Sequence, residues 1–407
     1  MLEQKQARRN LRIMWFANFF VGASMTMVLP FISLLIETFG DYSSTYVQHW
    51  AGWTFAVTFV TAFIFAPIWG KVGDHYGRKK ILIFSGLGLA TSLFLMGFVS
   101  SVFELFILRF FTGIFTGFIP MSQAYISTQT SKEKAGRVLG TLQTGNITGS
   151  LMGPLLGGLL ADSVGFAATF QTTSFSIVIS VILVLTTKEF RLKAKANEKK
   201  SYSSKEVLSH IIHNPVMITV LLLSTLIQVA NFSIQPILSL FVSELHGAAN
   251  LAFFSGLAFS LTGLGNLLMA RKWGSLGDSF GHIKLLVILL FVTGIIYLPG
   301  AFITEYWHLL VIRFVLGAAM GGLIPLRVAY IRREAPIAMQ GEVLGYNTSL
   351  QFLGNMIGPS IGGIISGYFG FGSVFITTSV LLLICGFILL AAVRRQIKAV
   401  KPSFRAS

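Results

Sequence analysis

Twelve long apolar runs occupy most of the chain and leave it few options. They cover 13–36, 50–69, 81–98, 105–126, 138–160 and 166–187 in the first half. In the second half they cover 216–240, 251–270, 283–303, 309–331, 343–365 and 371–393. A helix needs roughly 20 apolar residues to cross the hydrocarbon core of a bilayer, and these runs meet that length. No stretch alternates cleanly over the roughly ten residues that a membrane barrel strand requires. Only 11% of the 407 residues are charged, against about 25% in soluble domains, so the chain cannot cover a water-facing surface. A soluble enzyme is excluded. The expected fold is an all-α membrane protein with twelve transmembrane helices. The first run is too long for a signal-peptide core and no small-residue cleavage site follows it, so it is expected to remain as a spanning helix.

The net charge of +16 invites a nucleic-acid reading until the basic residues are placed. Of the 31, all but Arg109, Arg313 and Arg327 fall in the N-terminal tail, in every second loop or, for Lys284, at its very edge, or in the C-terminal tail. The intervening loops contain none. Such a bias orients membrane helices with the basic loops in the cytoplasm. Both termini are therefore expected in the cytoplasm, in the inner (plasma) membrane, and nucleic acid is not an expected partner. Cys385 is the only cysteine, which excludes an intramolecular disulfide or a cysteine-built metal site. No cofactor or metal is expected.

The chain repeats itself after about 205 residues. Gly70, Asp74 and Gly77 return as Gly274, Asp278 and Gly281, and Arg109 with Gly113 returns as Arg313 with Gly317. Gly153-Pro154 and Gly157-Gly158 return as Gly358-Pro359 and Gly362-Gly363. Order and direction are kept, which implies two pseudo-symmetric six-helix bundles related by an axis along the membrane normal. The expected division is 1–187 for the first bundle, 188–214 for a cytoplasmic linker and 215–407 for the second bundle and tail. The linker is polar and is read as a tether with one amphipathic turn around 207–212.

Three motifs make the chain resemble the major facilitator superfamily, and within it the twelve-span drug:proton antiporters. The first is Gly70-x-x-x-Asp74-x-x-Gly77-Arg78-Lys79-Lys80 between spans 2 and 3. The second is Arg109-x-x-x-Gly113-x-x-x-Gly117 in span 4. The third is Gly149-x-x-x-Gly153-Pro154-x-x-Gly157-Gly158 in span 5, which the resemblance associates with export. It implies gating by the first motif (Gly70, Asp74, Gly77, Arg78, and Asp278 in the second copy). It also implies proton coupling through Arg109, with Arg313 as its counterpart, by influence on a nearby carboxylate.

The residues carry physical readings of their own. Gly70 and Gly77 permit a tight turn and close helix approach. Asp74 can sit against a helix N-terminus, where the dipole favours negative charge, and Arg78 can pair with it; loop packing alone is the other reading. Arg109 in a span is costly, and is either a coupling group or an arginine that snorkels or bonds carbonyls. Gly149, Gly153, Gly157 and Gly158 form a groove, bent at Pro154, that invites a facing helix, span 8 being the expected one. Gly358 and Pro359 repeat it on span 11. Arg327 stands where the first half has Ser122. It meets an anionic group on a substrate, or it pairs with Asp278 or Glu334.

No acid falls at the centre of a span, a departure from the family pattern that leaves the proton carrier open. Glu37 and Glu244, ending spans 1 and 7, are the leading candidates, with ordinary surface carboxylates as the alternative. Gln123, Asn231, Gln235 and Gln351 lie within spans among many apolar side chains, a lining suited to amphipathic compounds. The expected function is export of lipophilic or amphipathic drugs in exchange for protons by alternating access, by a monomer whose partners are small-molecule substrates, protons and the lipid bilayer. Transport of a defined metabolite such as a sugar, amino acid or siderophore is the competing reading. An enzyme is not expected, since nucleotide-binding and nucleophile motifs are missing.

Overall fold

In hydrocarbon no water can satisfy a free backbone N–H or C=O, so each spanning segment must close its own hydrogen bonds. The computed structural model describes residues 2–130, 132–190, 203–336 and 339–400, and among these every regular element is helical. Ten helical stretches are long and apolar enough to cross a membrane. One of them, Val138–Leu185, holds two spans. The chain reverses inside it at Gly165, whose φ of 82° and ψ of 167° lie where only glycine sits without strain. The twelfth span is Gln340–Phe369, whose glycines and amides keep it below the hydropathy of the others.

Four spans expected to run unbroken are interrupted. Span 1 is Leu2–Met27, a short tight turn at Leu29–Phe31, then Ile32–Glu37. Span 7 repeats this as Pro215–Ser233, Gln235–Ile237 and Leu238–His246. Pro30 and Pro236 cause both breaks, because proline lacks the N–H that the ladder needs. Span 4 divides into Val102–Ile114 and Phe118–Ser127, and span 10 into Tyr306–Met320 and Leu323–Glu334. The indole of Trp69 on span 2 donates to Ile114 O at 2.6 Å beside the first gap. Trp273 on span 8 donates to Ala318 O at 2.6 Å beside the second.

The described chain forms two compact units whose boundary departs from the sequence repeat: Gln235–Ser260 packs with the first unit, alongside Met1–Lys195, rather than with the second half. The reason lies in specific bonds. The Ser239 hydroxyl donates to Pro30 O, the Ser260 hydroxyl donates to Leu151 O at 2.9 Å, and Asp162 accepts from the first backbone N–H groups of span 8.

Inside each unit one helix pair approaches on glycine. In the first, spans 1 and 5 meet so closely that a Cβ on Gly149, Gly153 or Gly157 would lie 2.1, 2.4 or 1.9 Å from the carbonyl oxygens of Phe19, Ala23 and Met27. In the second, spans 7 and 11 do the same, with Gly362 at 1.7 Å from Ser233 O. Small residues are what allow such backbone contact in lipid. Polar side chains then fasten the seam: Ser224 Oγ donates to Asn347 Oδ1 at 2.6 Å, and Gln228 Nε2 to Asn355 Oδ1 at 2.8 Å.

Linker residues Ser204–His213 form a helix opened by a capping box from Ser203 and Glu206. Its Val207 and Ile211 are buried, so the turn expected there is longer and docked on one side.

Gly157→Ala and Gly362→Ala should each lower stability by about 1–3 kcal/mol, the usual range for overpacking. Gly345→Ala, on the same span 11 but with nothing within 4 Å, should be neutral or stabilising by about 0.5–1 kcal/mol. Thermal unfolding of the purified variants measures the difference.

Candidate functional site

The loop between spans 2 and 3 turns at Gly77, which has a φ of 98° and ends helix Ser44–Tyr76 while opening Arg78–Met96. The carboxylate at the open helix end is Glu189, from the end of the first bundle. Its Oε1 accepts the N–H of Arg78 at 2.9 Å and its Oε2 the N–H of Lys79 at 3.1 Å. The side chain of Asp74, expected against a helix end, lies outside the described residues. The Arg78 guanidinium donates to Ala124 O on span 4, and Lys79 Nζ to Leu185 O and Thr187 O at 2.8 and 2.6 Å. The motif therefore ties span 3 to spans 4 and 6. Among the described residues nothing lies within 4 Å of where a Cβ on Gly70 would be. In the second copy Gly281 has a φ of 93°, and Asp278, 79% exposed, lies 3.2 Å from Nε2 of His282, the first residue of the next helix.

Three arginines are buried. Arg109, 4% exposed, stands 5.6 Å from the ring centre of Phe55, a cation–π contact, and its Nε has no partner. No carboxylate among the described residues lies within 4.0 Å of it. Arg313, 2% exposed, has Tyr297 as an electrostatic neighbour. Arg327, 1% exposed, donates from Nε to Leu323 O at 3.0 Å. It pairs with neither Asp278, which sits with His282, nor Glu334, which is exposed at the end of its helix. Glu37 and Glu244 are both exposed at helix ends.

The glycine groove of span 5 corrects another expectation. Gly149, Gly153 and Gly157 face span 1, while Gly158 alone meets span 8, where its Cβ would lie 2.2 Å from Ala252 O. Gly256 returns the contact at 2.1 Å from Pro154 O. Likewise Gly358 beside Pro359 faces span 7, near Val229. Gln123 Nε2 donates to Gln143 Oε1 at 2.8 Å. Asn231, Gln235 and Gln351 are half-buried, and no hydrogen bond joins them to Arg327 among the described residues.

One role escaped the sequence reading. Asp162 accepts the N–H of Ala252 on Oδ1 at 3.1 Å and of Phe253 on Oδ2 at 2.7 Å, capping span 8 with both oxygens. Asn18, fully buried on span 1, has neither side-chain oxygen nor nitrogen satisfied.

Comparison with known proteins decides the family. The model of the Major Facilitator Superfamily matches residues 14–271 and again 226–406. The chain belongs to the major facilitator superfamily. It is 55% identical over 369 residues to the uncharacterized MFS-type transporter YuxJ of Bacillus subtilis (strain 168), covering 90% of this chain and 94% of that one. It is 37% identical over 391 residues to the multidrug resistance protein MdtG of Dickeya zeae (strain Ech586), covering 96% and 95%. Among solved structures it resembles a bacterial homolog of the human lysosomal transporter Spinster, in an inward-facing and unoccupied conformation. The TM-score is 0.78 at 16% identity, over 97% of this chain and 98% of that one. A D-xylose–proton symporter follows the same fold, with a TM-score of 0.74 at 16% identity, over 94% and 97%. This superfamily member is thus a multi-pass membrane transporter and not an enzyme, and its twelve helices are the fold of that family.

Asp162→Ala should cost about 1 kcal/mol in thermal unfolding, the usual price of a lost helix cap, whereas Asp162→Asn, which keeps one acceptor, should cost less. Equal losses from the two variants would remove the capping role.

Proposed function

We propose that this transporter exports amphipathic drug-like compounds in exchange for protons, in the inner membrane with both termini in the cytoplasm, and that it works as a monomer. The observation that carries the reading is the likeness to MdtG, a multidrug resistance protein, at 37% identity along nearly the whole chain. The half-buried amides Gln123, Asn231, Gln235 and Gln351 support it, being few polar groups set among apolar surface.

On this reading the halves 1–187 and 215–407, joined by the linker 188–214, alternate access. Span 8 is held on the outer side by the Asp162 cap and by the paired contacts of Gly158 with Ala252 and Gly256 with Pro154. Both must yield for the outer side to open. On the cytoplasmic side the Arg78 and Lys79 bonds to spans 4 and 6 brace the first bundle, and Asp74 and Asp278 act as gating groups beside Gly70 and Gly77. Arg109 and Arg313, enclosed and costly to keep charged, are the groups whose environment proton movement changes, with Glu37 and Glu244 as carboxylates at the outer ends of spans 1 and 7.

Ethidium uptake into everted vesicles containing the protein should stop when the proton gradient and membrane potential are both collapsed. Undiminished uptake after that treatment would overturn proton coupling, and vesicles that never move ethidium or any other amphipathic dye would favour a defined metabolite instead. Asp74→Asn should reduce transport at least tenfold while ethidium affinity, read by fluorescence anisotropy on purified protein, stays within about twofold, a difference of roughly 0.4 kcal/mol.

A further inference from the structure

The internal repeat lets each buried polar group be checked against its counterpart, and one pair disagrees by a full charge. Helices Phe118–Ser127 and Leu323–Glu334 occupy equivalent places and share the Ile-Pro and Ala-Tyr-Ile segments. Where the first carries Ser122, fully buried, the second carries Arg327, 1% exposed. The same helix is therefore built without a charge in one half, and the fold does not demand one in the other.

Arg327 is also unsatisfied. Its Nε–H is spent on Leu323 O, one turn back on its own helix. Nη1 and Nη2, with four N–H donors between them, are buried without a hydrogen-bond partner, and no carboxylate among the described residues lies within 4.0 Å. The acids on either side in sequence are committed or exposed: Glu334 and Glu305 are exposed, Glu342 accepts from the Tyr346 hydroxyl at 2.9 Å, and Asp278 sits with His282. Arg109, by contrast, has the face of Phe55. A buried guanidinium with no counter-charge is strongly unfavourable, so the arrangement persists only if an anion completes it at some stage of the cycle. The two open nitrogens of a planar guanidinium match two oxygens of one oxyanion, a fit that a lysine would not offer.

We propose that Arg327 is an anion-recognition subsite in the second bundle, binding the carboxylate of an exported amphipathic compound through Nη1 and Nη2. This rests on the export reading above and names the substrate class within it. A lipid headgroup phosphate offers the same oxyanion chemistry, and the experiment separates the two sources.

Purified protein in dodecyl maltoside is titrated with fluorescein and with nalidixate, both carboxylates, and with ethidium, a permanent cation, and binding is read by anisotropy or quenching. Arg327→Gln should lower the ratio of fluorescein to ethidium affinity at least about tenfold, as expected for one charge-assisted bidentate contact. Arg327→Lys, which keeps the charge and loses the fork, should lower it by a smaller factor, and it serves alone if the glutamine variant does not fold. Added phosphatidylglycerol should leave fluorescein binding unchanged. The proposal is overturned if the wild-type protein binds neither carboxylate, if the ratio is unaltered in the variants, or if phosphatidylglycerol displaces fluorescein. Equal loss of both dyes would make Arg327 structural and overturn it too. Ethidium efflux by the wild-type protein in proteoliposomes tests the export reading separately: its failure leaves the carboxylate binding to be judged on its own.

Discussion

Everything in this transporter follows from the absence of water around its backbone. A spanning helix closes its own N–H and C=O groups, and wherever it breaks something else must do so. The breaks in spans 4 and 10 illustrate the rule. Each exposes a carbonyl, and each carbonyl is met by an indole N–H from the preceding pair of spans, Trp69 on Ile114 O and Trp273 on Ala318 O. The bond recurs 204 residues apart at the same length, as the repeat requires if the interruption belongs to the original bundle.

The same constraint explains why glycine, rather than large apolar side chains, sets the helix contacts. Lipid tails are as apolar as leucine, so helices gain from close backbone approach and from hydrogen bonds between them more than from hiding grease. Gly149, Gly153 and Gly157 bring span 5 onto span 1, and Gly354, Gly358 and Gly362 bring span 11 onto span 7. Threonine, serine and asparagine then bond across these seams. The glycine–proline motif of span 5 is therefore chiefly a device of its own bundle, and only its last glycine, Gly158, reaches span 8.

Much of the fold was legible in the sequence because long apolar runs are a strong, local signal. The repeat was legible as well, down to the paired glycines Gly77 and Gly281. What escaped reading depended on partners distant along the chain. Nothing in the sequence pairs Glu189 with the N–H groups of Arg78 and Lys79, or Asp162 with those of Ala252 and Phe253, since each bond closes over roughly a hundred residues. The direction of the glycine groove was misread for a related reason: four small residues at i, i+4, i+8 and i+9 announce a close neighbour without saying which. At Arg327 the sequence showed the anomaly and the structure showed its unsatisfied nitrogens.

The grouping of Gln235–Ser260 with the first unit has a consequence for the molecule as two halves. A cut in the linker would not yield two self-contained bodies. The fragment ending at Lys195 would leave behind the strip that supplies Ser239 to Pro30, Gly256 to the back of Pro154, and two amide hydrogens to Asp162. The complementary fragment would carry that strip with its partners gone. Sequence duplication and mechanical independence therefore part company here, and co-expressed fragments would have to reassemble around that borrowed segment before either could behave as it does in the intact chain.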